Sequence, residues 1–258
     1  MQLRDDLKKR IKVITFDLWD TIIDDDSDEP LRRSRGLLTK SEERFSLILN
    51  AIKPFSKITP NELSVSCDVV NAAFSKCWID NSLTWTVRER IEVLLKGIGC
   101  VLPKDHLNRL VEAQGRMEID IPPNLIFGAQ EVIKRLADCY KLCIISDTII
   151  TPGSNLRKLL EMHKLKHYFS GFCFSDEVGH SKPHRSMFQS AADQLDARFE
   201  EMVHIGDRDH NDIKGAQSLG MRAILFTAKR DVDQNNTSAD AVCSSYKELP
   251  QVIEHLSG

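Results

Sequence analysis

The sequence predicts an α/β protein with a Rossmann-like parallel sheet core and an inserted all-helical domain. A short apolar run near the start, Val13–Phe16, is typical of a buried strand. Residues 31–123 then show only helical periodicity, and strand and helix patterns alternate thereafter. Such alternation is typical of a parallel sheet built from right-handed crossovers. We therefore assign residues 1–24 and 124–258 to the core and residues 25–123 to the helical insertion.

The composition is that of an ordinary globular protein, with 41% hydrophobic and 28% charged residues among 258. The net charge of -3 and the pI of about 6.3 give no indication of binding to nucleic acid or to an anionic membrane surface. No apolar run approaches the roughly 20 residues of a membrane span, and Met1–Arg10 lacks the apolar core of a signal peptide. Seven scattered cysteines without a CxxC pair favour reduced thiols over a zinc site. We expect a cytoplasmic protein.

The insertion begins with an acidic run, Asp24–Glu29, which is closed by Pro30 and is predicted to be a loop because its charges repel one another. Helices with one apolar face follow. Their predicted bounds are Ser41–Ile52 with Ser41 as the N-cap, Pro60 to Trp78, Thr86–Lys96 ended by Gly97 and Gly99, and Pro103–Met117. The pair Pro122-Pro123 marks the return to the core.

In the second part of the core, strands and helices alternate. The predicted strands are Lys141–Ile145, Phe172–Phe174, Met202–Ile205 and Ala223–Phe226, with Ala241–Cys243 as an edge strand. The predicted helices are Ala129–Asp138, a helix N-capped by Ser154 that runs to Met162, Ser186–Leu195, Asp212–Leu219 and Tyr246–Leu256. The polar stretch Asp231–Asp240 is predicted to be a loop.

Polar residues follow three of the predicted core strands. Asp17, Ser146 and Asp207 come directly after, or one residue after, an apolar run. Lys182 lies in a loop before a helix, and Asp212 opens the helix after Asp207. Because ligands bind at the carboxyl ends of parallel strands, we expect these groups to converge. Neighbouring carboxylates favour a divalent cation, and a hydroxyl with an ammonium group binds phosphoryl oxygens, so the set predicts phosphoryl transfer. For Asp17 taken alone, a residue that caps a loop would be the favoured interpretation.

The order of these parts resembles the haloacid dehalogenase-like (HAD) hydrolase superfamily. The motifs that carry the resemblance are Phe16-Asp17-Leu18-Trp19-Asp20-Thr21, Ile144-Ile145-Ser146, Lys182-Pro183, and Gly206-Asp207 through Asp212. The resemblance covers residues 11–21 and 128–226. The helical insertion stands where the family places a helical cap domain between its first and second motifs, although we assign its own sequence to no particular type of cap.

The resemblance implies a role for each matching residue. Asp17 is the nucleophile and a Mg²⁺ ligand, with the Trp19 carbonyl and Asp207 as further ligands. Asp212 holds the waters of the metal. Ser146 and Lys182 bind the transferred phosphoryl group.

The residues beside the first two motifs are expected to line the substrate pocket. They are Trp19, Asp20, Thr21, Asp147 and Thr148. The resemblance thus implies a Mg²⁺-dependent phosphatase that acts on a small phosphorylated metabolite, with neither nucleic acid nor membrane as a partner.

One position departs from the family pattern. The family's phosphatases carry a second Asp two positions after the nucleophile, which protonates the leaving group, and here that position is Trp19. Asp20 stands one residue too late for a simple transfer of the role. A phosphonatase-like or dehalogenase-like hydrolase therefore remains an alternative, as does a weakly catalytic protein that binds a phosphorylated ligand. The pair Asp207 and Asp212 speaks against the dehalogenases, which need no Mg²⁺.

Several other residues have both a structural and a functional interpretation. His204 lies within a predicted strand and is interpreted as a core residue, whereas His180 and His184 flank Lys182 and could face the pocket. In the insertion, Trp78, Trp85, Arg88 and Arg90 could hold an anionic or aromatic substrate. Packing within the helical domain is the favoured interpretation of those four.

Overall fold

The computed structural model describes residues 11–257, so the interpretation of Met1–Arg10 lies outside the described residues. The chain divides into two compact units. The first contains residues 11–25, 124–147 and 160–257. The second contains residues 26–123 and 148–159, so the division falls within the helix Gly153–Met162.

The first unit is built on a six-stranded parallel sheet, which confirms the α/β Rossmann-like fold class. The strand order is β3-β2-β1-β4-β5-β6. The strands are β1 Val13–Phe16, β2 Lys141–Ser146, β3 Gly171–Phe174, β4 Met202–Gly206, β5 Arg222–Phe226 and β6 Ala241–Cys243. The predicted edge strand Ala241–Cys243 is confirmed. All residues of β1 and β4 are buried, as expected for a parallel sheet whose two faces are both covered.

Helices pack on this sheet through apolar faces. One face is covered by the helix Arg185–Leu195, whose buried residues include Met187, Phe188 and Ala191. The other helices of the first unit are Ala129–Ala137, Ser175–Val178, Gly215–Gln217 and Leu249–Ser257, with short 3₁₀ turns at Lys166–Tyr168 and Phe199–Glu201. The last helix begins at Leu249 and not at Tyr246. The ring of Tyr246 is buried, and its hydroxyl donates to the Thr21 carbonyl at 2.8 Å.

The helix predicted over Asp212–Leu219 has a different form. A π-helix spans Asp209–Lys214, and the Ile213 N–H reaches back five residues to the Arg208 carbonyl at 3.3 Å. In this wider turn the Asp212 side chain points inward, where its carboxylate accepts hydrogen bonds from Lys182 and His204. π-Bulges of this kind often mark functional sites.

The second unit is helical within its described residues, as predicted for the insertion. Its helices are Glu29–Ser34, Lys40–Ile52, Pro60–Asn81, Val87–Gly97, Lys104–Gly115 and Met117–Asp120. Their core consists of Ile52, Leu63, Ile91, Leu94, Leu95, Cys100, Leu102 and Leu110. The short helix Glu29–Ser34 replaces the end of the predicted acidic loop and has a proline in its first turn, where no N–H is needed.

Two predicted N-caps were wrong. The helix predicted from Ser41 begins at Lys40 and is capped by Thr39, whose hydroxyl accepts from the Glu42 N–H at 3.2 Å while the Glu42 carboxylate accepts from the Thr39 N–H at 2.9 Å. This capping box satisfies two N–H groups at once, which Ser41 cannot do. The helix that we predicted to be capped by Ser154 already includes Gly153.

No helix within residues 11–257 is long and apolar enough to cross a membrane.

Candidate active site

Three adjacent strands bring their polar ends to one edge of the sheet. In the register, Phe16 of β1 pairs with Ile144 of β2 and with Ile205 of β4. Asp17 therefore leaves β1 beside the ends of the two neighbouring strands, where Ser146 and Asp207 lie one residue further along. The Asp17 N–H donates to the Ile205 carbonyl at 2.8 Å, which fixes the start of the loop. The convergence at the carboxyl ends of the strands agrees with the general location of ligands in such sheets.

Lys182 lies at the centre of the buried charges. The residue is 3% exposed, and its ammonium donates to Asp17 Oδ1 and, at 2.7 Å, to Asp212 Oδ1. Burial lowers the pKa of Lys182, but the charges of Asp17, Asp212 and Asp147 outweigh burial and hold this pKa well above its usual range. Lys182 is therefore a permanent cation that stabilises two neighbouring carboxylates.

Asp207 has no comparable partner. Its Oδ2 atom is buried and accepts no hydrogen bond from any residue within 11–257, and the nearest guanidinium nitrogens, from Arg208 and Arg230, are 3.9 and 4.0 Å away. Burial, followed by the charge of Asp212, raises the pKa of Asp207 to about 7. The pKa of Asp17 is also raised, by burial first and then by Asp212 and Asp207, although Lys182 lowers it.

These carboxylates fit a hard divalent cation. A buried carboxylate oxygen without a donor is suited to a metal ligand, and a cation would relieve the repulsion that raises both pKa values. Within residues 11–257 no three His, Cys, Asp or Glu side chains form a metal-binding cluster. The ligand set that the family implies contains only two direct side-chain ligands, Asp17 and Asp207, beside the Trp19 carbonyl, so this finding does not conflict with it.

Asp212 is fully engaged with protein donors. Its Oδ1 accepts from Lys182 and, at 3.1 Å, from His204 Nε2, and its Oδ2 accepts from the Arg208 N–H at 2.9 Å. Burial raises the pKa of Asp212, but the charge of Lys182 and the hydrogen bonds from Lys182 and His204 outweigh it and hold this pKa below its usual range. Asp212 is thus ionised and holds Lys182 in place. This agrees with an indirect role at the metal site, in which Asp212 is not itself a metal ligand.

Gly206 makes room for the Asp212 carboxylate. A Cβ atom at position 206 would lie 2.3 Å from Asp212 Cγ, which is too close for two non-bonded carbon atoms. The glycine of the fourth motif is therefore required by the inward position of the Asp212 carboxylate.

His204 is a functional neighbour that our sequence interpretation missed. It is buried in β4, as predicted, but it also bonds to Asp212 and, through Nδ1, to the Thr15 hydroxyl at 2.8 Å. Burial lowers the pKa of His204, so the ring is neutral. Since ionised Asp212 can only accept, we assign the ring proton to Nε2, and Nδ1 accepts from Thr15. Thr15 and His204 are register partners, and two polar residues paired within buried strands are a signal that the sequence does contain.

The loop that carries Lys182 is held by Asp147 and Asn211. Asp147 Oδ1 accepts from the Lys182 N–H at 2.9 Å, and Asp147 Oδ2 accepts from Asn211 Nδ2 at 3.3 Å. Burial raises the pKa of Asp147. Asp147, which we expected to line the substrate pocket, thus has protein partners on both oxygens. Ser146 is fully buried and donates to the Asp147 carbonyl at 3.3 Å.

The turn after Asp17 contains the other predicted substrate-binding residues of this unit. Trp19 is half-buried, and Thr21 is buried with a hydroxyl oxygen that has no hydrogen-bond partner among residues 11–257. Asp20 has a left-handed backbone with φ of 54°, and its Oδ1 accepts from the Asp25 N–H at 3.2 Å. Burial raises the pKa of Asp20. Thr148, the remaining predicted residue, is buried and belongs to the second unit.

The two histidines that flank Lys182 stack on each other, with ring centroids 3.9 Å apart. His184 also caps the helix Arg185–Leu195, because its Nδ1 accepts from the Ser186 N–H at 3.2 Å. Burial, followed by the charge of His180, lowers the pKa of His184. The structure therefore gives His184 a capping role.

Comparison with known proteins identifies the family of the chain. The family model for haloacid dehalogenase-like hydrolases matches residues 11–220. A glyceraldehyde 3-phosphate phosphatase from Pyrococcus furiosus is 24% identical over 97% of this chain and 96% of its own length. A pyrophosphatase PpaX from Bacillus cereus is 39% identical over 38% of this chain and 46% of its own length.

Solved structures share the fold at low sequence identity. The HAD-hydrolase YfnB from Bacillus subtilis, bound to magnesium, has a TM-score of 0.58 at 21% identity and covers 95% of this chain and 99% of its own. A 2-haloacid dehalogenase from Pseudomonas syringae pv. Tomato has a TM-score of 0.61 at 20% identity, with 95% and 99% covered. With four motifs at one sheet edge and a family match over most of its length, the chain belongs to the haloacid dehalogenase-like hydrolase family.

Proposed function

We propose that this hydrolase is a Mg²⁺-dependent phosphatase that acts on a small phosphorylated metabolite through an aspartyl-phosphate at Asp17. The observation that carries the proposal is the buried ammonium of Lys182, bonded to both Asp17 and Asp212. A fixed cation beside a carboxylate nucleophile can stabilise the charge that develops on a transferred phosphoryl group. The named phosphatases among the relatives support the same reaction class.

The proposed reaction has two steps. The Asp17 carboxylate attacks phosphorus, the bond between phosphorus and the ester oxygen breaks, and the leaving alcohol takes up a proton. Water then attacks the phosphorus of the aspartyl-phosphate, the bond between phosphorus and the Asp17 oxygen breaks, and inorganic phosphate and a proton are released as the Asp17 carboxylate is restored. Lys182 and Ser146 would bind the phosphoryl oxygens throughout. Asp17, the Trp19 carbonyl and Asp207 would hold Mg²⁺, which supplies positive charge to neutralise the phosphoryl oxygens.

The carboxylate pair distinguishes this proposal from the dehalogenase alternative. The 2-haloacid dehalogenase from Pseudomonas syringae pv. Tomato shares the fold alone, at 20% identity. Dehalogenases of the family need no metal, whereas the donor-free Oδ2 of Asp207 and its raised pKa favour a cation. We assign residues 25–123 as the cap domain of this phosphatase. Glyceraldehyde 3-phosphate, which names one relative, should be in the first substrate panel.

Replacing Asp17 by asparagine should abolish turnover. Because the nucleophile is lost, we expect kcat for p-nitrophenyl phosphate with Mg²⁺ to fall about a thousandfold or more. Acid quenching with a radiolabelled phosphate ester should trap label on the wild type and none on Asp17→Asn. Asp193→Asn, an exposed carboxylate change, serves as the control. Label retained by Asp17→Asn would refute the assignment of the nucleophile.

Binding of Mg²⁺ should weaken as the pH falls below about 7. The pKa of Asp207 is raised to about 7 from 3.8, and a protonated carboxyl group is a poor metal ligand. The apparent Kd should therefore rise about tenfold per pH unit below about pH 7 and change little above about pH 8. Calorimetry in two buffers of different ionisation enthalpy should detect the released proton.

The raised pKa of Asp207 also determines how the folding stability of the metal-free protein changes with pH. Because the folded pKa of Asp207 exceeds the ordinary value of 3.8, its ionisation destabilises the metal-free protein as the pH rises from about 4 to about 7. Added Mg²⁺ should restore stability at the upper end of this range. Asp207→Asn should reduce both effects, leaving the contribution of Asp17, and a wild-type Mg²⁺ Kd that is independent of pH would contradict the prediction.

The replacement of the usual acid by Trp19 should show in the choice of leaving group. A general acid contributes about 100- to 10,000-fold to reactions that need it. The wild type should therefore prefer p-nitrophenyl phosphate, whose leaving group needs no proton, over the alkyl ester glycerol 3-phosphate. Trp19→Asp should raise turnover of the alkyl ester by about tenfold or more.

Asp20 is the rival candidate for the acid, and its raised pKa favours that role. The control variant is Asp20→Ala, assayed on the same two esters. Equal wild-type rates on both, with Asp20→Ala inactive on the alkyl ester alone, would show that Asp20 has taken over proton transfer.

His204 should act as a positioning residue for Asp212. Loss of a hydrogen bond to an ionised group costs about 1.5 to 3 kcal/mol, so His204→Leu should lower kcat about tenfold to a hundredfold. His204→Gln keeps a donor on the side chain and should recover most of kcat. The two variants should differ in kcat and in Mg²⁺ affinity more than in melting temperature. Equal loss in both variants would assign His204 to packing alone.

A further inference from the structure

A cavity of about 440 Å³ lies within the helical unit. Its apolar walls come from the helices Lys40–Ile52, Pro60–Asn81 and Val87–Gly97. The apolar side chains that line it include Phe45, Ile48, Val70, Val87, Ile91 and Leu94. Its volume falls within the range of roughly 300 to 1,000 Å³ that is typical of small-molecule sites. Phe45, Ile48, Val70 and Val87 are only partly buried, so apolar surface is left for a ligand to cover.

Two arginines form the polar end of this cavity, and Arg90 has no counter-charge. Its guanidinium donates at 2.8 Å to the Ile149 carbonyl and at 2.8 Å to Asn71 Oδ1, and it lies 4.4 Å from the centre of the Phe74 ring. All three partners are neutral, and no carboxylate within residues 11–257 forms an ion pair with Arg90. Burial, followed by the charge of Arg44, lowers the pKa of Arg90. A half-buried charge paired only with dipoles and a like charge is unfavourable unless an anion joins it.

The second arginine, Arg44, does not supply the negative charge that Arg90 lacks. Arg44 Nη2 donates to Glu118 Oε1 at 2.7 Å, while Lys40 lies 3.9 Å from the same oxygen and the Thr151 hydroxyl donates to Glu118 Oε2. Lys40 is also paired with Asp26 and Asp28 at 2.9 Å, so Glu118 mainly neutralises Arg44, and Arg90 is left without a carboxylate partner among residues 11–257. Arg44 Nε is buried and has no hydrogen-bond partner among the described residues.

The two carboxylates that line the cavity are exposed. Glu42 is committed to the capping box with Thr39, and Asp68 is an exposed residue of the helix Pro60–Asn81. Neither forms an ion pair with Arg44 or Arg90. The arginine end of the cavity thus keeps an excess of positive charge next to an apolar wall.

We propose that this cavity is a binding site for a small organic anion with an apolar body. The anionic group would lie against Arg90 and Arg44, since guanidinium groups bind carboxylates and phosphates with paired hydrogen bonds. The apolar body would cover Ile48, Val70 and Val87. The site consists of residues of the helical unit alone, so the inference does not rest on the proposed phosphatase activity.

The first experiment compares matched probes on the full chain by isothermal titration calorimetry. The probes are 4-phenylbutyrate, its uncharged amide 4-phenylbutyramide, and the aliphatic acid octanoate. We expect the carboxylates to bind, and 4-phenylbutyrate to bind at least about tenfold more tightly than its amide. Absence of binding by both acids at about 10 mM, where even a weak site fills, would overturn the proposal. Equal affinity of acid and amide would also overturn it.

Two pairs of variants locate the bound probe. Arg90→Gln removes the uncompensated charge, and Arg88→Gln removes a like charge on the same helix that does not line the cavity. Val70→Trp fills the cavity, and Val69→Trp places the same side chain at an adjacent position that is 63% exposed. We expect at least about tenfold weaker binding of 4-phenylbutyrate by the first member of each pair and less than about twofold change for the second.

The variant Asp17→Asn tests whether binding of the probe is independent of turnover at Asp17. The probe should bind Asp17→Asn as tightly as it binds the wild type, even though turnover is lost. If Asp17→Asn loses the probe, or if Val70→Trp retains it, the probe binds elsewhere and the inference fails. A failed phosphatase assay with intact, Arg90-dependent binding would count against the proposed function alone.

Discussion

The structure of the core depends on burying several carboxylates around one ammonium group. Asp17, Asp207 and Asp212 lie at the ends of two neighbouring strands and in the turn after them, and Lys182 bonds to two of the three. Removing charges from water is costly, so each buried charge needs a partner or a change of protonation. Lys182 and Asp212 form an ion pair, so both stay charged. Asp207 has no such partner, and its pKa is raised to about 7.

Much of the local backbone serves this arrangement. The π-helix Asp209–Lys214 turns Asp212 inward, Gly206 leaves space for its carboxylate, and the Arg208 N–H closes the turn at 2.9 Å. Asp147 fixes the lysine loop through the Lys182 N–H. Each of these features positions one charged side chain of the site. The same contacts that hold these side chains in place also satisfy buried polar groups.

The strands and their polar ends could be predicted because a buried parallel strand leaves a clear apolar run and its end is fixed by the sheet. The cap at Thr39 could also have been predicted, since Thr39 and Glu42 have capping-box spacing, and we chose Ser41 instead. The role of His204 depends on its register with Thr15 and on the inward turn of Asp212, which only the pairing of strands reveals. The cavity beside Arg90 depends on the packing of three helices, and no local pattern contains that information.

The two units share one physical feature, a buried or half-buried ionisable group that has no hydrogen-bonded partner of opposite charge among residues 11–257. In the core it is the Asp207 carboxylate, whose Oδ2 accepts no hydrogen bond, and in the helical unit it is the Arg90 guanidinium, whose partners are all neutral. Folding alone gives no reason to retain either group, because an apolar side chain of similar size would avoid the cost of desolvation. A ligand of opposite charge gives such a reason, since its binding energy offsets that cost. We therefore propose a cation as the ligand of the core and an anion as the ligand of the helical unit.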